Sequence, residues 1–384
     1  MRLADVVAMS GGVAGEDVLE NVLTADGVAA LSEALTFMRE AAGEGPDGYL
    51  SVEVVDSNSM TCRARRIDDG DQVIIIPLGV LARARALARR LLQHLALDEV
   101  VRVVGNPLDS RPGWEVLPGL TPVYSEYEGA EESQWDALKS FDGETGASDL
   151  RDSEAHDVMS MCLFYLVVHE MVHINKRHDK LLALADAGSP FVPHDVLPHL
   201  RRGLEVHADV MAAVALTKSL ITEFPLGAKG RSNGVSANRL DTLFERSSFA
   251  ACLLFSMYDT YRATVFDYDR GNYPHPLVRY ELTHSVTLAV INDTAPSLMG
   301  TVTKATEAGW LRCNQAISNL ELACAQGRYG SPSHGQIFRC IPVTALKYGT
   351  PVLSMQTRIA DEYRLSLLTE ELLRRMNAAM PARG

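Results

Sequence analysis

Apolar and polar positions in the first hundred residues predict helices, then a small sheet, then another helix. Apolar residues recur at helical spacing within residues 1–48. Three strand-like runs follow, at residues 49–55, 61–66 and 72–77, and an acidic turn with a glycine separates the last two. Residues 78–97 return to helical spacing. We expect their polar side to be solvated; it comprises Arg83, Arg85, Arg89 and Arg90.

Two long segments in the middle of the chain have the length and composition of helices. The first begins near Asp152 and ends near Arg177, and it is apolar nearly all round, as is typical of a buried central helix. The second runs from Leu197 to about Ile221. Residues 247–263 predict a further core helix, since their aromatic residues and methionine suit packing rather than a cofactor site.

Other stretches are less regular. Residues 101–150 are rich in Gly, Pro, Ser and acidic residues, which indicates an irregular insertion or a lid. Residues 225–238 predict an exposed loop. Residues 285–384 are mostly helical in pattern, with a strand-like run at residues 336–343.

Composition and charge narrow the function classes. The 384 residues are 47% hydrophobic and 22% charged, as in ordinary globular proteins. The net charge is −13 without a basic block, so nucleic acid and anionic membranes are disfavoured as partners. A nucleic-acid arm in residues 78–97 is a weak alternative for the same reason.

The beginning of the chain and its cysteines predict a cytoplasmic protein. No apolar core follows Arg2 as in a signal peptide, and we expect no membrane helix because uninterrupted apolar runs are short. The six cysteines form no C-x-x-C motif and several lie in apolar stretches, which favours a reducing compartment over a disulfide framework.

His169 and His173 lie four residues apart in the first long helix, and Glu170 follows the first of them. Positions i and i+4 share one face of an α-helix, so both imidazoles can bind one metal ion. Glu170 lies about 100° round the helix, where it can act on a water activated by the metal. The alternative is a pair of core histidines with hydrogen-bond partners.

A catalytic zinc site needs a third protein ligand, which we expect from the second long helix. Glu205 and Asp209 share one face of this mostly apolar helix. A zinc ion for Glu205, and the outer nitrogen of a ligand histidine for Asp209, would satisfy both carboxylates. The alternative is a solvated acidic face with His207 beside it. His178 lies about 140° from the ligand face and is predicted to be a surface histidine or one that supports a ligand.

The HExxH motif and the later E-x-x-A-D resemble those of the gluzincin metallopeptidases, particularly the HtpX-type branch and its soluble relatives. The likeness extends to H-x-x-x-R-H at residues 173–178, and to a His-Pro motif followed by arginine, at His275 and Arg279. More loosely, the chain is similar to a soluble phage-exclusion peptidase. The resemblance implies an α+β, mostly helical, zincin-like fold. In it a small N-terminal sheet packs on a central zinc-binding helix pair, and a helical C-terminal part follows.

The resemblance covers roughly residues 50–100 and 150–285, and it implies a role for each site residue. We predict a metallopeptidase domain at residues 1–285. Residues 286–384 lie outside the resemblance, and the sequence leaves open whether they form a second domain, a dimer surface or a regulatory element. The resemblance implies that His169, His173 and Glu205 are zinc ligands and that Glu170 is the general base. It also implies that Asp209 supports a ligand, and that His275 and Arg279 are catalytic groups near the zinc. The spacing from His275 to Arg279 is shorter than the family usually shows.

These residues predict a zinc-dependent metalloendopeptidase that hydrolyses a protein or peptide substrate under some restraint. Two roles stay open for His275: a donor to the oxyanion, or a fourth ligand that holds the enzyme off. The alternatives are a non-catalytic protein in which zinc pins two helices, and a zinc hydrolase of a non-peptide substrate. Gln72–Pro77 is the candidate edge strand for pairing with an extended substrate, and a buried central strand is the alternative.

Overall fold

A computed structural model describes most of the predicted elements. The described residues are 3–15, 17, 19, 44–45, 48–59, 61–67, 71–95, 149–194, 196–222, 237–257, 274, 276–325 and 352–379. The predicted insertion, most of the loop at 225–238, the strand at 336–343 and His275 lie outside these residues.

The fold is α+β and mostly helical, which confirms the predicted class. The strands are β1 Glu44–Gly45, β2 Gly48–Val55, β3 Arg63–Arg66 and β4 Gln72–Pro77. The helices are α1 Leu3–Met9, α2 Leu78–Leu95, α3 Asp149–Asn175, α4 His178–Asp186, α5 Leu200–Thr222, α6 Ala237–Met257, α7 Pro276–Thr294, α8 Met299–Ala325 and α9 Val352–Ala379. Short 3₁₀ turns precede α5 and α8.

β4 is a central strand of the sheet, so the prediction that it forms the edge is wrong. It runs parallel to β2 on one side and antiparallel to β3 on the other. The two-residue β1 pairs with the other side of β2. All six residues of β4 are buried, as expected for a continuous apolar run covered on both faces. The strands at the two edges are β1 and β3, and the three arginines of β3 are exposed.

α3 lies at the centre of the helical part. It packs against α2, α5 and α6, and it also contacts β3 and β4. Its buried residues include Val158, Cys162, Leu163 and Val167, which belong to the main core. The prediction of a buried central helix is therefore confirmed.

One described segment of α3, Glu154–Asn175, has the length and apolar character that a membrane span requires. Its most apolar window has a mean hydropathy of 1.4, and 61% of that window is buried within the fold. A core helix meets the same criteria, so this is weak evidence for a membrane. The expectation of no membrane partner stays a prediction.

Three arginines of α2 are not solvated as predicted; the side chain of Arg90 lies outside the described part of the structure. Arg83, Arg85 and Arg89 are only 1%, 2% and 4% exposed. Arg83 donates to the backbone carbonyls of Asn58 and Gly79, and Arg85 donates to His156 of α3 at 2.9 Å. Buried charged groups need such partners, and the partners come from parts of the chain that helical periodicity does not reveal.

The predicted division at residue 285 falls within α7, and the main core crosses it. Cys313 and Ala316 of α8 belong to the same apolar cluster as the strands and α3. α8 packs along α6 at Gly309, where a Cβ atom would lie 2.1 Å from the carbonyl oxygen of Glu245. Only glycine permits this approach of two helices, so this part of the C-terminal region is integral to the fold.

Candidate metal centre

Three side chains from two helices converge at one point. His169 and His173 are one turn apart on α3, and Glu205 faces them from α5. The His169 and His173 Nε2 atoms are 3.1 Å apart. Glu205 Oε2 lies 3.3 Å from Nε2 of His169 and 3.7 Å from Nε2 of His173. The sequence predicted this grouping, and the structure brings all three residues together.

The spacing of these donor atoms fits a tetrahedrally coordinated ion. With metal–ligand bonds of about 2.0–2.2 Å, two donors of a tetrahedral site lie about 3.3–3.6 Å apart. Of the three observed separations, 3.3 Å lies in this range, 3.1 Å lies just below it and 3.7 Å lies just above it. Two imidazoles and one carboxylate are also a donor set that catalytic zinc sites use. His169, His173 and Glu205 could therefore hold a metal ion.

Asp209 lies behind His169 and is held by three residues. Its Oδ1 is 3.0 Å from Nδ1 of His169 and accepts a hydrogen bond from the Tyr165 hydroxyl at 3.1 Å. Arg279 donates to both carboxylate oxygens, at 2.7 and 2.8 Å. Asp209 has no exposed surface. This arrangement matches the predicted support of a ligand histidine and fixes the orientation of the His169 ring.

Arg279 reaches the site through Asp209 rather than through the metal ligands. Its guanidinium is buried, pairs with the Asp209 carboxylate on one side and lies over the Phe255 ring, 4.8 Å from its centroid. A bidentate guanidinium is a rigid support for a carboxylate. The structure therefore places Arg279 behind His169, against Asp209, and its predicted role as a catalytic group near the zinc stays a prediction.

The site has the electrostatics of a cation-binding site. Burial lowers the pKa of His169, but hydrogen bonds to Asp209 and Glu205 outweigh it and raise the pKa to about 10. Burial alone would raise the pKa of Glu205, yet its pairing with the two histidines holds it below its usual value. Burial alone would also raise the pKa of Asp209, but Arg279 and His169 lower it to about 2. The two carboxylates thus attract positive charge, which a proton on His169 supplies when no metal is bound.

Glu170 lies beside the cluster and faces the edge of the sheet. Its Oε2 accepts a hydrogen bond from the backbone N–H of Ala64 in β3 at 3.0 Å. Glu170, His173 and Glu205 line a cleft of about 340 Å³ whose other wall includes the whole of β3. The general-base candidate is therefore held by a backbone donor in the wall of a cleft that His173 and Glu205 also line.

His178 is buried, so the surface alternative for this residue is wrong. It is 1% exposed, and its Nδ1 lies 2.8 Å from Nδ1 of His173. Its Nε2 lies 3.0 Å from Nδ1 of His207. The placement agrees with the other predicted alternative, a histidine that supports a ligand. Arg177, with φ of 58°, lies in a left-handed turn between α3 and α4, and this reversal brings His178 back onto the ligand face.

The sequence analysis did not identify His207 and Glu370 as part of the site. His207 Nε2 lies 2.6 Å from Glu370 Oε2, and Glu370 belongs to α9, the last helix. No local pattern links residues so distant in the chain. His207 could have been suspected only because a 2% exposed histidine on an apolar helix needs partners.

The chain matches no family model, curated protein or solved structure. The likeness to gluzincin peptidases therefore stays a prediction that rests on the motif residues. The functional argument depends on the geometry of the site and on its chemistry.

Proposed function

We propose that this protein is a zinc-dependent endopeptidase. The observation that supports the proposal best is the convergence of His169, His173 and Glu205 within bonding distance of one ion, with Glu170 beside them in an open cleft. A purely structural zinc site is usually closed by four protein ligands and has no use for a carboxylate beside them. The cluster found among the described residues has three donors.

Each residue of the site has a specific task in amide hydrolysis. Bound zinc would polarise the scissile carbonyl and lower the pKa of water. Glu170 accepts the proton of the attacking water and later delivers it to the leaving amine. Ala64 orients the Glu170 carboxylate, and Asp209 holds the His169 ring with its Nε2 towards the ion.

In this proposal the sheet edge and the helix pair form a zincin-like arrangement around the substrate. β3 is the edge strand beside the cleft and can accept an extended peptide as an added strand. The Ala64 N–H points to Glu170, away from β4, so the backbone of Ala64 and Arg66 faces the cleft side of the strand. This role belongs to β3 and not to the predicted β4.

The side chains of β3 favour an acidic substrate segment. Arg63, Arg65 and Arg66 are exposed and line the cleft, although the whole chain carries a net charge of −13. Opposite charges across a binding surface speed association and select partners. Peptides that carry glutamate near the cleaved bond should therefore be cleaved faster than the same peptides with glutamine. An equal rate for both would remove this preference from the proposal.

The wider setting is also proposed. The acidic charge and the absence of a basic block favour a protein or peptide substrate over nucleic acid. The scattered cysteines, of which Cys62, Cys162, Cys252 and Cys313 are buried and not in disulfides, suit a cytoplasmic location. A second copy or a regulatory partner could bind α9, whose exposed residues include Tyr363, Leu367 and Leu368.

Cleavage of an unfolded protein such as reduced casein tests the proposal. With zinc added, the wild type should cleave it, and Glu170→Gln should reduce the rate by about 10²–10⁴-fold because the general base is lost. Glu371→Gln is the matched control, since this glutamate is solvent-exposed and pairs with the exposed Arg374 of the same helix. Equal cleavage by wild type and Glu170→Gln would contradict the proposal. Zinc binding without cleavage under any condition would favour the non-catalytic alternative.

A further inference from the structure

A line of three imidazoles runs from the candidate metal centre to the C-terminal helix. It begins at His173, passes through His178 and His207, and ends at the Glu370 carboxylate. The separations from His173 to His178 and from His178 to His207 are 2.8 and 3.0 Å, and both are hydrogen bonds. The last separation, 2.6 Å from His207 Nε2 to Glu370 Oε2, is an ion-pair contact that is not aligned as a hydrogen bond. His178 and His207 are 1% and 2% exposed, so water does not readily replace these contacts.

The carboxylate at the far end gives this line a direction. An unprotonated nitrogen would be repelled by a carboxylate oxygen only 2.6 Å away, so His207 carries its proton on Nε2 and accepts at Nδ1. His178 must then carry its proton on Nε2, where it donates to His207, and accept at Nδ1. His173 in turn donates from Nδ1, which leaves the lone pair of its Nε2 directed at His169 and Glu205. That nitrogen is the one that a metal ion would bind.

We propose that Glu370 is a positioning residue for metal binding, which acts on His173 through His178 and His207. The inference rests on the proposed function for the metal itself, but it concerns residues that the ligand motif does not contain. A histidine ligand commonly donates its other N–H to a group that fixes its tautomer and ring orientation. Here that group is His178. The acceptor that fixes the direction is the Glu370 carboxylate, which follows after His207.

The packing of α9 holds Glu370 in place. Leu372, Leu373 and Met376 of α9 are buried in one apolar cluster with residues of α4 and α5. The carboxylate of Glu362 pairs with Arg202 of α5 in a buried contact. Lys176 Nζ, at the end of α3, lies 3.3 Å from the other oxygen of Glu370. The last helix is thereby joined to the metal centre, which gives residues 352–379 a function within the site.

Zinc affinity, measured by competition with a chromophoric chelator, tests this inference. Glu370→Gln should weaken zinc binding by about 10-fold, the lower end of the effect of groups that orient metal ligands, because a carboxamide can donate as well as accept. Glu371→Gln is the matched control: it removes a neighbouring glutamate of the same helix that has no contact with the line, and affinity should be unchanged. Glu370 is partly exposed, with 44% of its side-chain surface accessible, so the variant should fold.

Nitrogen-15 NMR of the histidine rings separates this role from a general effect on packing. In the metal-free wild type, His178 and His207 should be Nε2–H tautomers and His173 the Nδ1–H tautomer. Glu370→Gln should populate the other tautomer at His207 and His178, while Glu371→Gln should leave the signals as in wild type. Other tautomers in the wild type, or unchanged zinc affinity and tautomers in Glu370→Gln, would overturn the inference. A wild type that binds no zinc contradicts the proposed function alone, and the tautomers still decide whether Glu370 directs the line.

Discussion

Asp209 links three helices behind the candidate metal centre. It joins Arg279 of α7 and Tyr165 of α3 to the back of His169, and it has no exposed surface. Its charge is compensated locally, mainly by the Arg279 guanidinium. A buried pair of this kind adds little when intact relative to apolar packing, but removal of one partner leaves the other charge uncompensated.

Asp209→Asn should therefore lower the free energy of unfolding by about 3 kcal/mol or more. Urea denaturation of the metal-free protein measures this change. Asp361→Asn is the matched control, because Asp361 pairs with Arg364 on the exposed surface of α9, and its loss should cost less than about 1 kcal/mol. A similar small effect of both variants would mean that Arg279 finds another partner and that Asp209 does not organise the site.

The raised pKa of His169 makes the metal-free protein sensitive to alkaline pH. Its folded pKa is about 10 against 6.5 for a free imidazole, so the bound proton stabilises the folded state fully below about pH 6.5. This stabilisation is lost as the pH rises towards 10, and the loss should be on the order of a few kcal/mol. Urea unfolding at pH 6.5, 8 and 9.5 should show the decrease in metal-free wild type. His169→Gln should lack it, and a wild type with no more pH dependence than this variant would contradict the assigned charges.

At the residue scale, helical spacing was enough to predict that His169, His173 and Glu205 lie together, but not which residues Asp209 and His207 pair with. His169 and His173 share one face of α3. Glu205 and Asp209 come from α5, as expected. The pairing of Asp209 with Arg279 and of His207 with Glu370 joins helices that are far apart in sequence. Periodicity within one helix carries no information on such contacts.

At the scale of elements, the arrangement of β3 determines how the cleft is built. In the antiparallel pairing of β3 with β4, Arg65 lies opposite Val73. The Ala64 N–H is directed to Glu170 instead of β4. In an antiparallel pair, alternate residues point their backbone groups towards the partner strand. The N–H of Ala64 and that of Arg65 therefore have different tasks: the first orients Glu170 and the second belongs to the sheet.

Proline substitution separates these two tasks. Ala64→Pro should retain the fold, since an edge strand tolerates proline where the N–H is not in the ladder. It should slow peptide cleavage by about 10- to 100-fold, because a hydrogen bond to a charged group is worth about 1.5–3 kcal/mol. Arg65→Pro is the comparison and should destabilise the sheet. Thermal unfolding and cleavage rates of both variants would check this, and full activity of Ala64→Pro would show that Glu170 does not depend on β3.

The sequence predicted most elements of the described fold, but not the order of the strands. Three strand-like runs and the helices after them lie close to the predicted positions; for example, β2 begins at Gly48 and α2 at Leu78. An apolar run such as β4 fits either a buried centre or an edge that a ligand covers, and only pairing with both neighbours decides between them. The arginines of α2 were misplaced for a related reason: burial of a charged residue depends on partners elsewhere in the chain.

At the scale of the whole molecule, the last helices complete the site that the motif begins. α7 supplies Arg279, α8 extends the main core, and α9 supplies Glu370. A division of the chain after residue 285 would separate the candidate metal ligands from Glu370. Residues near the end of the chain, such as Glu370, therefore contact a site that is built on α3 and α5.

Zinc content per chain is the most direct test of the central claim. Mass spectrometry of the native protein should find about one zinc ion in wild type and in Glu170→Gln, whose carboxylate is not a ligand. Glu205→Ala should lose most of the zinc, because one of three protein donors is gone. A wild type without zinc after equilibration with the metal, or a Glu205→Ala variant that binds it as tightly as wild type, would contradict the account.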